Sequence, residues 1–355
     1  MSVSPSSSKV LLGFTGGIRS SVTTMLLKTQ GAEVFAVFLD YEGSPWDMRC
    51  ARDSKQRALE QAAALEVPLV TVPVSSIFES LVADSYLHQV LSRKTPQSCL
   101  FCHQRILFPI LAKIAEERGI STVATGHRAI LNRGQLEKTS ARDDQSSWLA
   151  FLSRELLARI SLPLGSLSDF QIEKLAREIS TDWPEAQRGL RLQCQISQDT
   201  WLKWAKIKVP QSMIIPGPIT HRESMALAEH RGILDHPLGT NVEIQEHGSL
   251  LAWDYDPNSH VLKVESSSNA RSGEFLIEGL NWIDPAPPTS TVSVDVQVQS
   301  AGLFTANETT AEGTIFPHLE KEARLILRKP MPLLIRGTPL IFSLDNRILG
   351  AGWIA

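Results

Sequence analysis

Cysteine and long apolar runs are both scarce in this 355-residue chain. Four cysteines are too few for a disulfide framework in a chain of this length. The longest apolar stretches, such as Val10–Phe14 and Val34–Leu39, have the length of a strand and are too short to span a bilayer. The start of the chain, Met1–Ser8, is polar and is not followed by the apolar core of a signal peptide. The sequence therefore predicts a cytoplasmic protein with no membrane partner.

An excess of one charge is also lacking. The formal net charge is -3, which excludes a protein that holds nucleic acid through an overall positive field. A nucleic-acid partner would need local basic patches, because binding depends on where cations meet phosphates. The candidates are Lys203, Lys206 and Lys208, and later Lys321, Arg324, Arg328, Lys329 and Arg336. Each run taken alone also fits an ordinary solvated surface.

From Lys9 to about Thr200, short β-rich segments alternate with amphipathic helical segments. This alternation predicts an α/β fold with a doubly wound parallel sheet covered by helices on both faces. The predicted strands are Val10–Phe14, Val34–Leu39, Leu69–Pro73 and Thr122–Thr125, and the predicted helices are Ser20–Thr29, Asp53–Leu65 and Leu107–Glu117. Ligands of such sheets bind at the carboxyl ends of the strands. We expect this first domain to occupy residues 1–207.

The pattern changes after about Pro210, where Pro216–Pro218 marks a linker. Short segments of alternating polarity follow, separated by glycine and proline, which predicts small β modules or barrels. The predicted strands are Val242–Gln245, Leu250–Tyr255, His260–Val264, Ala323–Leu327, Leu333–Ile335, Leu340–Leu344 and Ile348–Ile354, with strict alternation from Val292 to Val298. We expect a small central β domain at residues 208–285 and a β barrel at residues 286–355.

The first predicted strand runs into a glycine-rich loop and then into a helix. The loop is Thr15-Gly16-Gly17-Ile18-Arg19-Ser20-Ser21. Two adjacent glycines permit a tight turn with converging N–H groups, and the N-terminus of a helix favours an anion. The loop is therefore a candidate phosphate site, although the same residues fit an ordinary capped strand-to-helix turn.

A Cys-x-x-Cys pair, Cys99 and Cys102, precedes the third predicted helix, and Cys194 lies far along the chain. Such a pair with one distant cysteine indicates metal, cluster or redox chemistry. A zinc half-site is a further interpretation, but no second pair completes four ligands. Two inert buried thiols are another. Cys50 precedes a predicted helix without a near partner in sequence and is interpreted as structural.

These segments together resemble the tRNA-specific 2-thiouridylase family of the PP-loop ATP-pyrophosphatase superfamily. The loop resembles Ser-Gly-Gly-x-Asp-Ser, and Thr95–Phe108 resembles Thr-Pro-Asn-Pro-Asp-x-x-Cys-Asn-x-x-Ile-Lys-Phe. Ala124–His127 matches the family's Ala-Thr-Gly-His, and Asp144–Ser146 matches its Asp-Gln-Ser. The likeness continues to Arg347–Ile354 and so covers nearly the whole chain.

The resemblance implies an enzyme that activates a tRNA uridine with ATP and replaces its 2-oxygen by sulfur. Asp144 would be the general acid or base, or would orient the uridine. The implied partners are tRNA and a sulfur donor or sulfur-carrier protein. The residues implied to bind ATP are Thr15, Gly16, Gly17, Arg19, Ser20, Ser21, Leu39, Gly126 and His127.

The same resemblance gives roles to three cysteines. Cys102 falls on the family's catalytic cysteine, Cys99 falls on its Asp, and Cys194 is the candidate for its second cysteine. In a persulfide mechanism one cysteine carries the sulfur and the other releases it by forming a disulfide. In a cluster mechanism Cys99, Cys102 and Cys194 hold a [4Fe-4S] cluster, because thiolates suit iron–sulfur units. We favour the cluster, because Cys99 creates the Cys-x-x-Cys plus remote Cys layout of cluster-containing tRNA thiolases.

Three charged positions depart from the family pattern. Arg19 replaces an Asp that helps to hold Mg²⁺, and a guanidinium cannot ligate a metal, although it can clamp phosphate. Asp143 replaces a Lys, and Asn241 replaces an Arg. Two alternatives follow. One is a degenerate paralogue that binds tRNA or a sulfur carrier without ATP turnover, and the other is a tRNA thiouridine desulfurase.

Overall fold

The computed structural model describes residues 8–44, 46, 54–140, 143–180, 183, 198–221, 226–266, 271–284, 288–301, 306–319, 321–332 and 334–355. The described residues form three sheets. The first contains β1 (Lys9–Gly13), β2 (Glu33–Asp40), β3 (Leu69–Pro73), β4 (Thr122–Ala124) and β7 (Ile160–Ser161) in the order β3-β2-β1-β4-β7, and all its pairings are parallel. Two short strands, β5 (Ile130–Asn132) and β6 (Gln135–Glu137), lie between β4 and β7 in the chain.

Helices cover the first sheet on both faces. In chain order they are α1 (Ile18–Thr29), α2 (Ser54–Ala64), α3 (Ser75–Phe78, Glu79–Ala83 and Asp84–Leu91 in succession), α4 (Ser98–Glu117), α5 (Ser146–Leu149), α6 (Arg154–Leu157), α7 (Asp169–Ile179) and α8 (Gln198–Lys208). The apolar run of β1 sends Val10 and Leu12 into one hydrophobic core and Leu11 into another. Cores on both faces of a parallel sheet are the arrangement that the sequence predicts.

The second sheet contains β8 (Gly217–His221), β9 (Ala226–His230), β10 (Asn241–Ile244), β11 (Gly248–Asp256) and β12 (Val261–Glu265) in the order β10-β11-β12-β8-β9. The third contains β13 (Arg271–Trp282), β14 (Val292–Ala301), β15 (Ala306–Leu319), β16 (Glu322–Pro332), β17 (Pro339–Leu344) and β18 (Arg347–Ile354), and the short strands β6 and β5 extend it beyond β18. Pairing of β13 with β18 closes these six strands into the predicted barrel. The barrel begins with β13, which lies inside the segment 208–285; the domain limits themselves stay predictions.

Two predicted elements differ from the structure. Helix α4 begins at Ser98 and not at Leu107. It passes through a wide π turn at His103–Leu107 just before Pro109, which has no N–H to donate to a regular α-helical ladder. The predicted strand at Leu333–Ile335 is wrong for Leu334 and Ile335, which lie in irregular chain between β16 and β17. Leu333 lies outside the described residues.

The barrel is attached to the first sheet's module beside α4. Arg347 of β18 pairs with Glu137 of β6. The ring of Trp353 lies 5.9 Å from that of Phe101 and 4.7 Å from that of Phe151, between ring centroids. The last strand of the chain therefore packs directly against the helix that carries the Cys-x-x-Cys pair.

Helix α4 is also the one described helix that is long and apolar enough to cross a membrane, with 20 residues and a mean hydropathy of 1.2. Its large apolar side chains Leu100, Ile106, Phe108 and Leu111 are all buried against the protein. A buried core helix has the same length and composition, so this helix is weak evidence for a membrane location.

Candidate nucleotide and sulfur site

The glycine-rich loop is closed on itself by Ser20. The Thr15 N–H donates to Ser20 Oγ at 3.3 Å, and Ser20 Oγ donates to the carbonyl of Gly17 at 3.0 Å. Gly17 is the N-cap of α1, and no side chain caps this helix start. The backbone N–H groups of the first helical turn therefore remain available to an anion.

Gly16 sets the shape of the loop. Its φ of +67° is favourable only for glycine, and a Cβ at this position would lie 2.6 Å from Cα of Ala58 in α2. The loop is thus packed against the backbone of a neighbouring helix, and a side chain at position 16 would separate them.

The loops that follow β1 and β4 meet because these two strands are neighbours in the sheet. A Cβ on Gly126 would lie 3.0 Å from the carbonyl carbon of Arg19. The structure therefore brings together the two segments, around residues 19 and 126, that the sequence assigns to one nucleotide site.

Arg19 is fixed by an ion pair with Asp143. Its NH2 group donates to Asp143 Oδ2 in a very short contact, and its NH1 group lies 3.5 Å from Gln145 Oε1. The side chain of Asp143 is 1% exposed, whereas that of Arg19 is 30% exposed. Burial lowers the pKa of Arg19 from its usual value. The Arg19 side chain therefore remains partly open to solvent at the start of α1, although it is paired with Asp143.

Arg128 holds the other side of Asp143, and no pattern in the sequence singles it out. Its side chain is fully buried, and its Nε donates to Asp143 Oδ1 at 3.2 Å. Its two remaining nitrogens bond to Leu164 O at 2.7 Å, Leu167 O at 2.6 Å and Asp169 Oδ1 at 3.0 Å. An arginine right after Gly-His carries no signal that marks it as buried, so only the tertiary structure reveals this role.

A chain of hydrogen bonds connects the loop after β4 with the cysteine helix. Thr125 Oγ1 lies 2.8 Å from Nδ1 of His127, His127 Nε2 lies 2.8 Å from Nε2 of His103, and His103 Nδ1 lies 2.7 Å from the carbonyl oxygen of Cys99. A carbonyl only accepts, so neutral His103 carries its proton on Nδ1. Its Nε2 then accepts from His127, whose Nδ1 accepts from the Thr125 hydroxyl.

Both histidines are held neutral by their surroundings. Burial lowers the pKa of His103, and burial lowers the pKa of His127 well below its usual value, with His103 and then the charge of Arg19 adding to the shift. The sequence predicts His127 as a nucleotide contact and gives His103 no role, because an adjacent residue points away from Cys102 on most backbones. The structure shows that His103 turns from the thiol toward His127.

Cys99 and Cys102 lie three residues apart on α4, and both are half-buried. The Tyr41 hydroxyl, just beyond the end of β2, lies 3.4 Å from Cys102 Sγ. Cys50 and Cys194 lie outside the described residues, so the convergence of three thiolates stays a prediction. Among the described residues, no group of three metal-binding side chains is found.

Asp144 is bound to the start of α5. Its two oxygens accept from the backbone N–H of Ser146 at 3.0 Å and from the Ser146 hydroxyl at 2.9 Å. Burial nevertheless raises the pKa of Asp144, against the opposing effect of these bonds with Ser146. Ser21 is fully buried in α1, and Leu39 is 7% exposed at the end of β2.

The predicted basic runs differ in how far their charge is neutralised. Lys208 pairs with Glu79 at 2.6 Å and with Asp84 at 3.5 Å. Arg324 pairs with Glu274. Lys203 and Lys206 are exposed on α8, and no acidic residue in the described parts of the chain pairs with them. Lys321, Lys329 and Arg336 of the second run are likewise exposed and without an acidic partner among the described residues, so both runs contain candidates for contact with phosphates.

A parallel sheet with a glycine-rich loop after its first strand, and a second loop converging on it from the neighbouring strand, is the α/β architecture of the HUP or PP-loop fold. Residues 8–189 match the family model described as tRNA methyl transferase HUP domain, and the chain belongs to this family.

Its relatives agree with the resemblance seen in the sequence. The tRNA-specific 2-thiouridylase MnmA of Chloroflexus aggregans (strain MD-66 / DSM 9485) is 27% identical over 360 residues, which cover 98% of both chains. The tRNA-specific 2-thiouridylase MnmA of Geobacter metallireducens is 24% identical over 363 residues, covering 98% of this chain and 96% of that one. The predicted relation to the 2-thiouridylases is confirmed, with this chain as a diverged member.

A solved structure with partial likeness is the U34-tRNA thiolase NcsA from Methanococcus maripaludis with its [4Fe-4S] cluster. It is 16% identical, covers 57% of this chain and 66% of its own, and has a TM-score of 0.37. Likeness at this level supports no conclusion about this chain, and the cluster is a property of that protein.

Proposed function

We propose that this protein is a sulfurtransferase that activates a uridine of tRNA with ATP and replaces its 2-oxygen by sulfur. One observation supports the proposal most. The loop after β4, which packs against Arg19 of the glycine-rich loop, is joined to the cysteine helix by the hydrogen bonds from Thr125 through His127 and His103 to Cys99. Two chemically different sites, one for an anion and one with thiols, thus belong to one connected structure.

In the proposed reaction, the uridine 2-oxygen attacks the α-phosphorus of ATP, and pyrophosphate leaves. Hydrosulfide from a sulfur donor then attacks C2, and the oxygen leaves with AMP, so that C2 becomes a thiocarbonyl. The N–H groups at the start of α1 would stabilise the leaving pyrophosphate, since preorganised donors act on charge as it develops. Such a donor group lies at Gly17 and the first turn of α1.

Asp144 is the proposed general acid or base, or the group that orients the uridine. Its raised pKa supports a role in proton exchange, because a carboxyl group with an ordinary pKa is a weak base near neutral pH. Its position on the same loop as Asp143, which contacts Arg19, would bring it close to the activated base.

Cys99, Cys102 and Cys194 are the proposed ligands of a [4Fe-4S] cluster. Thiolates are the donors that iron–sulfur clusters require, and Cys99 and Cys102 are adjacent on one helix turn. When bound, such a cluster would supply an open iron to bind the sulfur. The chain's own residues hold this helix in place through His103, whose ring lies 5.2 Å from that of Trp148 between centroids.

The proposed partners are tRNA and a sulfur donor or carrier, and the proposed location is the cytoplasm. A single-stranded or splayed uridine is the form in which a protein can reach a base edge. The exposed pair Lys203 and Lys206 on α8 supports contact with the RNA backbone.

The test is an in vitro thiolation assay. Protein purified without oxygen is incubated with ATP, sulfide and tRNA that lacks thiouridine, and the nucleosides are measured by mass spectrometry. The expected product is 2-thiouridine, formed together with AMP and pyrophosphate. Cys102→Ser should abolish it, and Cys50→Ser, at a cysteine without a proposed role, is the matched control. Absence of thiouridine formation contradicts the proposal, and tRNA binding without thiouridine formation favours binding without turnover instead.

The iron and sulfur content of the purified protein distinguishes the cluster mechanism from the persulfide mechanism. The cluster predicts iron and acid-labile sulfide in equal amounts, both absent from Cys99→Ser and Cys194→Ser. The persulfide predicts an iron-free protein whose Cys102 or Cys194 carries sulfur that cyanide removes.

A second candidate function is binding of tRNA without turnover. The ion pair of Arg19 with Asp143 favours it, because a positive charge takes the position at which the family has a carboxylate. This candidate predicts tRNA binding with no release of pyrophosphate, which an enzyme-coupled pyrophosphate assay measures.

A further inference from the structure

The described residues do not fit a protein-held magnesium ion at the nucleotide loop. Magnesium takes oxygen ligands, and a guanidinium offers none. The nearest carboxylate, Asp143, has both of its oxygens occupied, one by Arg19 and the other by Arg128. Across the described parts of the chain, no cluster of three acidic or other metal-binding side chains is present.

The same contacts hold Arg19 in a defined position. Arg128 is fully buried and bonded to four acceptors, so it fixes Asp143, and Asp143 in turn fixes one edge of the Arg19 guanidinium. A guanidinium has five N–H donors, and the contacts with Asp143 and Gln145 use two of them. Arg19 therefore presents further donors through the exposed part of its side chain.

If Arg19 only stabilised the fold, the position of its charge would be unfavourable. Arg19 lies in the first turn of α1, where the helix dipole favours negative groups and disfavours a cation. Asp143 is shared between Arg19 and Arg128, and the second carboxylate of this group, Asp169, pairs with Arg128 and is 62% exposed, so Asp143 is the one buried carboxylate beside Arg19 among the described residues. An anion bound between Arg19 and the helix start would balance both. Ser21, two residues further along α1, is fully buried, and its hydroxyl has no hydrogen-bond partner among the described residues.

We propose that Arg19, positioned by Asp143, replaces the divalent cation at this site, so that the protein binds the pyrophosphate part of a nucleotide without magnesium. The inference rests on the proposed function only for the identity of the nucleotide. A fixed guanidinium binds phosphate oxygens through paired donors and carries its charge at any metal concentration. Arg19 is then a binding residue, and Asp143 and Arg128 are positioning residues.

The experiment is calorimetric titration of the full chain with inorganic pyrophosphate and with ATP, each in EDTA and in excess magnesium. The wild-type protein should bind pyrophosphate in EDTA at least as tightly as in magnesium. Arg19→Gln, which leaves the Arg128–Asp143 pair intact, should weaken binding in EDTA by about tenfold or more. Arg19→Lys keeps the charge but lacks the paired, planar N–H donors of a guanidinium. It should therefore bind pyrophosphate without metal, but more weakly than the wild type.

Two further variants make the test specific. Arg19→Asp places a second carboxylate beside Asp143, so any binding that remains should appear only with magnesium. Arg177→Gln removes the same charge from an exposed ion pair on α7 and should change nothing. Circular dichroism and thermal melting establish that each variant is folded.

The results separate this inference from the proposed function. Binding only in magnesium, binding unaffected by Arg19→Gln, or no pyrophosphate or ATP binding in either medium each overturns the inference. Thiouridine formation by a protein that requires magnesium keeps the function and rejects the metal replacement. Metal-free binding that Arg19→Gln abolishes, together with no thiouridine formation, keeps the inference and rejects the function.

Discussion

At the scale of single residues, two positions that depart from the family pattern contact each other. Arg19 stands at a family Asp and Asp143 at a family Lys, and in the structure these two side chains form an ion pair. Both charges are thus opposite in sign to those of the family pattern, and in this chain they neutralise each other. Each position can be noted in the sequence, but the pairing cannot, because the two residues are 124 positions apart and only the fold brings them together.

We predict that Asp143→Asn lowers the free energy of unfolding by about 3 kcal/mol, because removing one partner of a buried ion pair leaves an uncompensated charge. Arg128, fully buried, would keep only Asp169 as a charged partner. Urea denaturation measures the change. The control is Glu173→Gln, which breaks an exposed arginine–carboxylate pair and should cost little. Equal effects of the two variants would contradict the prediction.

The stability of the protein should also fall as the pH is lowered below about 6.5. His127 has a pKa well below that of an unfolded histidine, so the unfolded chain takes up a proton that the folded chain does not. The unfolded state is then favoured by up to about 1.4 kcal/mol per pH unit until the pH reaches the folded pKa.

Urea unfolding at pH 7.5 and at pH 5.5, for wild type and His127→Gln, measures this effect, with both pH values set about one unit either side of the usual histidine pKa. The variant lacks the titrating ring and should lose less stability between the two conditions. A pH dependence that is the same in both proteins would show that His127 is not the cause.

At the scale of helices and strands, the sequence predicts most of the first domain. The strands β1, β2 and β3 and the helices α1 and α2 lie within one or two residues of their predicted bounds. The spacing of apolar residues in these elements follows from burial on both faces of the sheet. A short stretch of sequence is therefore enough to predict each of them. The start of α4 is not predicted, because the π turn at His103–Leu107 lets a helix continue through a proline that usually marks a start.

The candidate site is predictable in its parts but not in its connections. Gly16, Gly126 and Asp144 belong to motifs that can be recognised along the chain. Arg128 and the contact of His103 with His127 depend on how two loops and a helix pack, and no local pattern encodes that packing. The role of Cys194 stays a prediction from the resemblance.

The packing of the nucleotide loop on α2 leads to a prediction at Gly16. Gly16→Ala should destabilise the protein and abolish pyrophosphate binding, because the new Cβ would lie 2.6 Å from the backbone of Ala58 and force the loop and helix apart. Gly31→Ala is the control, since Gly31 has a similar φ of +82° and open space around it. The control should lose about 1 kcal/mol from left-handed strain, and Gly16→Ala about 2 kcal/mol more from overpacking.

Urea denaturation and pyrophosphate titration are the two measurements. Normal pyrophosphate binding by a folded Gly16→Ala protein would contradict the role given to this loop.

At the scale of the whole molecule, α8 lies between the first module and the second sheet. Its Trp201 packs on Tyr86 with ring centroids 4.9 Å apart, and its Nε1 donates to Leu234 O at 3.2 Å. The barrel contacts the first module at a different place, through Trp353 of β18 and Phe101 of α4. Both β modules therefore contact the module that carries the candidate site, as expected if one RNA molecule touches more than one of them.

The exposed face of α8 gives the last prediction. Lys203→Gln combined with Lys206→Gln should weaken tRNA binding, because both lysines are exposed and unpaired among the described residues. If both lysines bind phosphates, the slope of log K against log salt should become shallower by about 0.9 for each phosphate no longer neutralised, or by about 0.7 if the RNA is single-stranded there.

Lys208→Gln is the matched control on the same helix. Its charge is already neutralised by Glu79 and Asp84, so the salt slope should stay close to that of the wild type. An equal change in the control, or none in the double variant, would mean that RNA does not bind along α8.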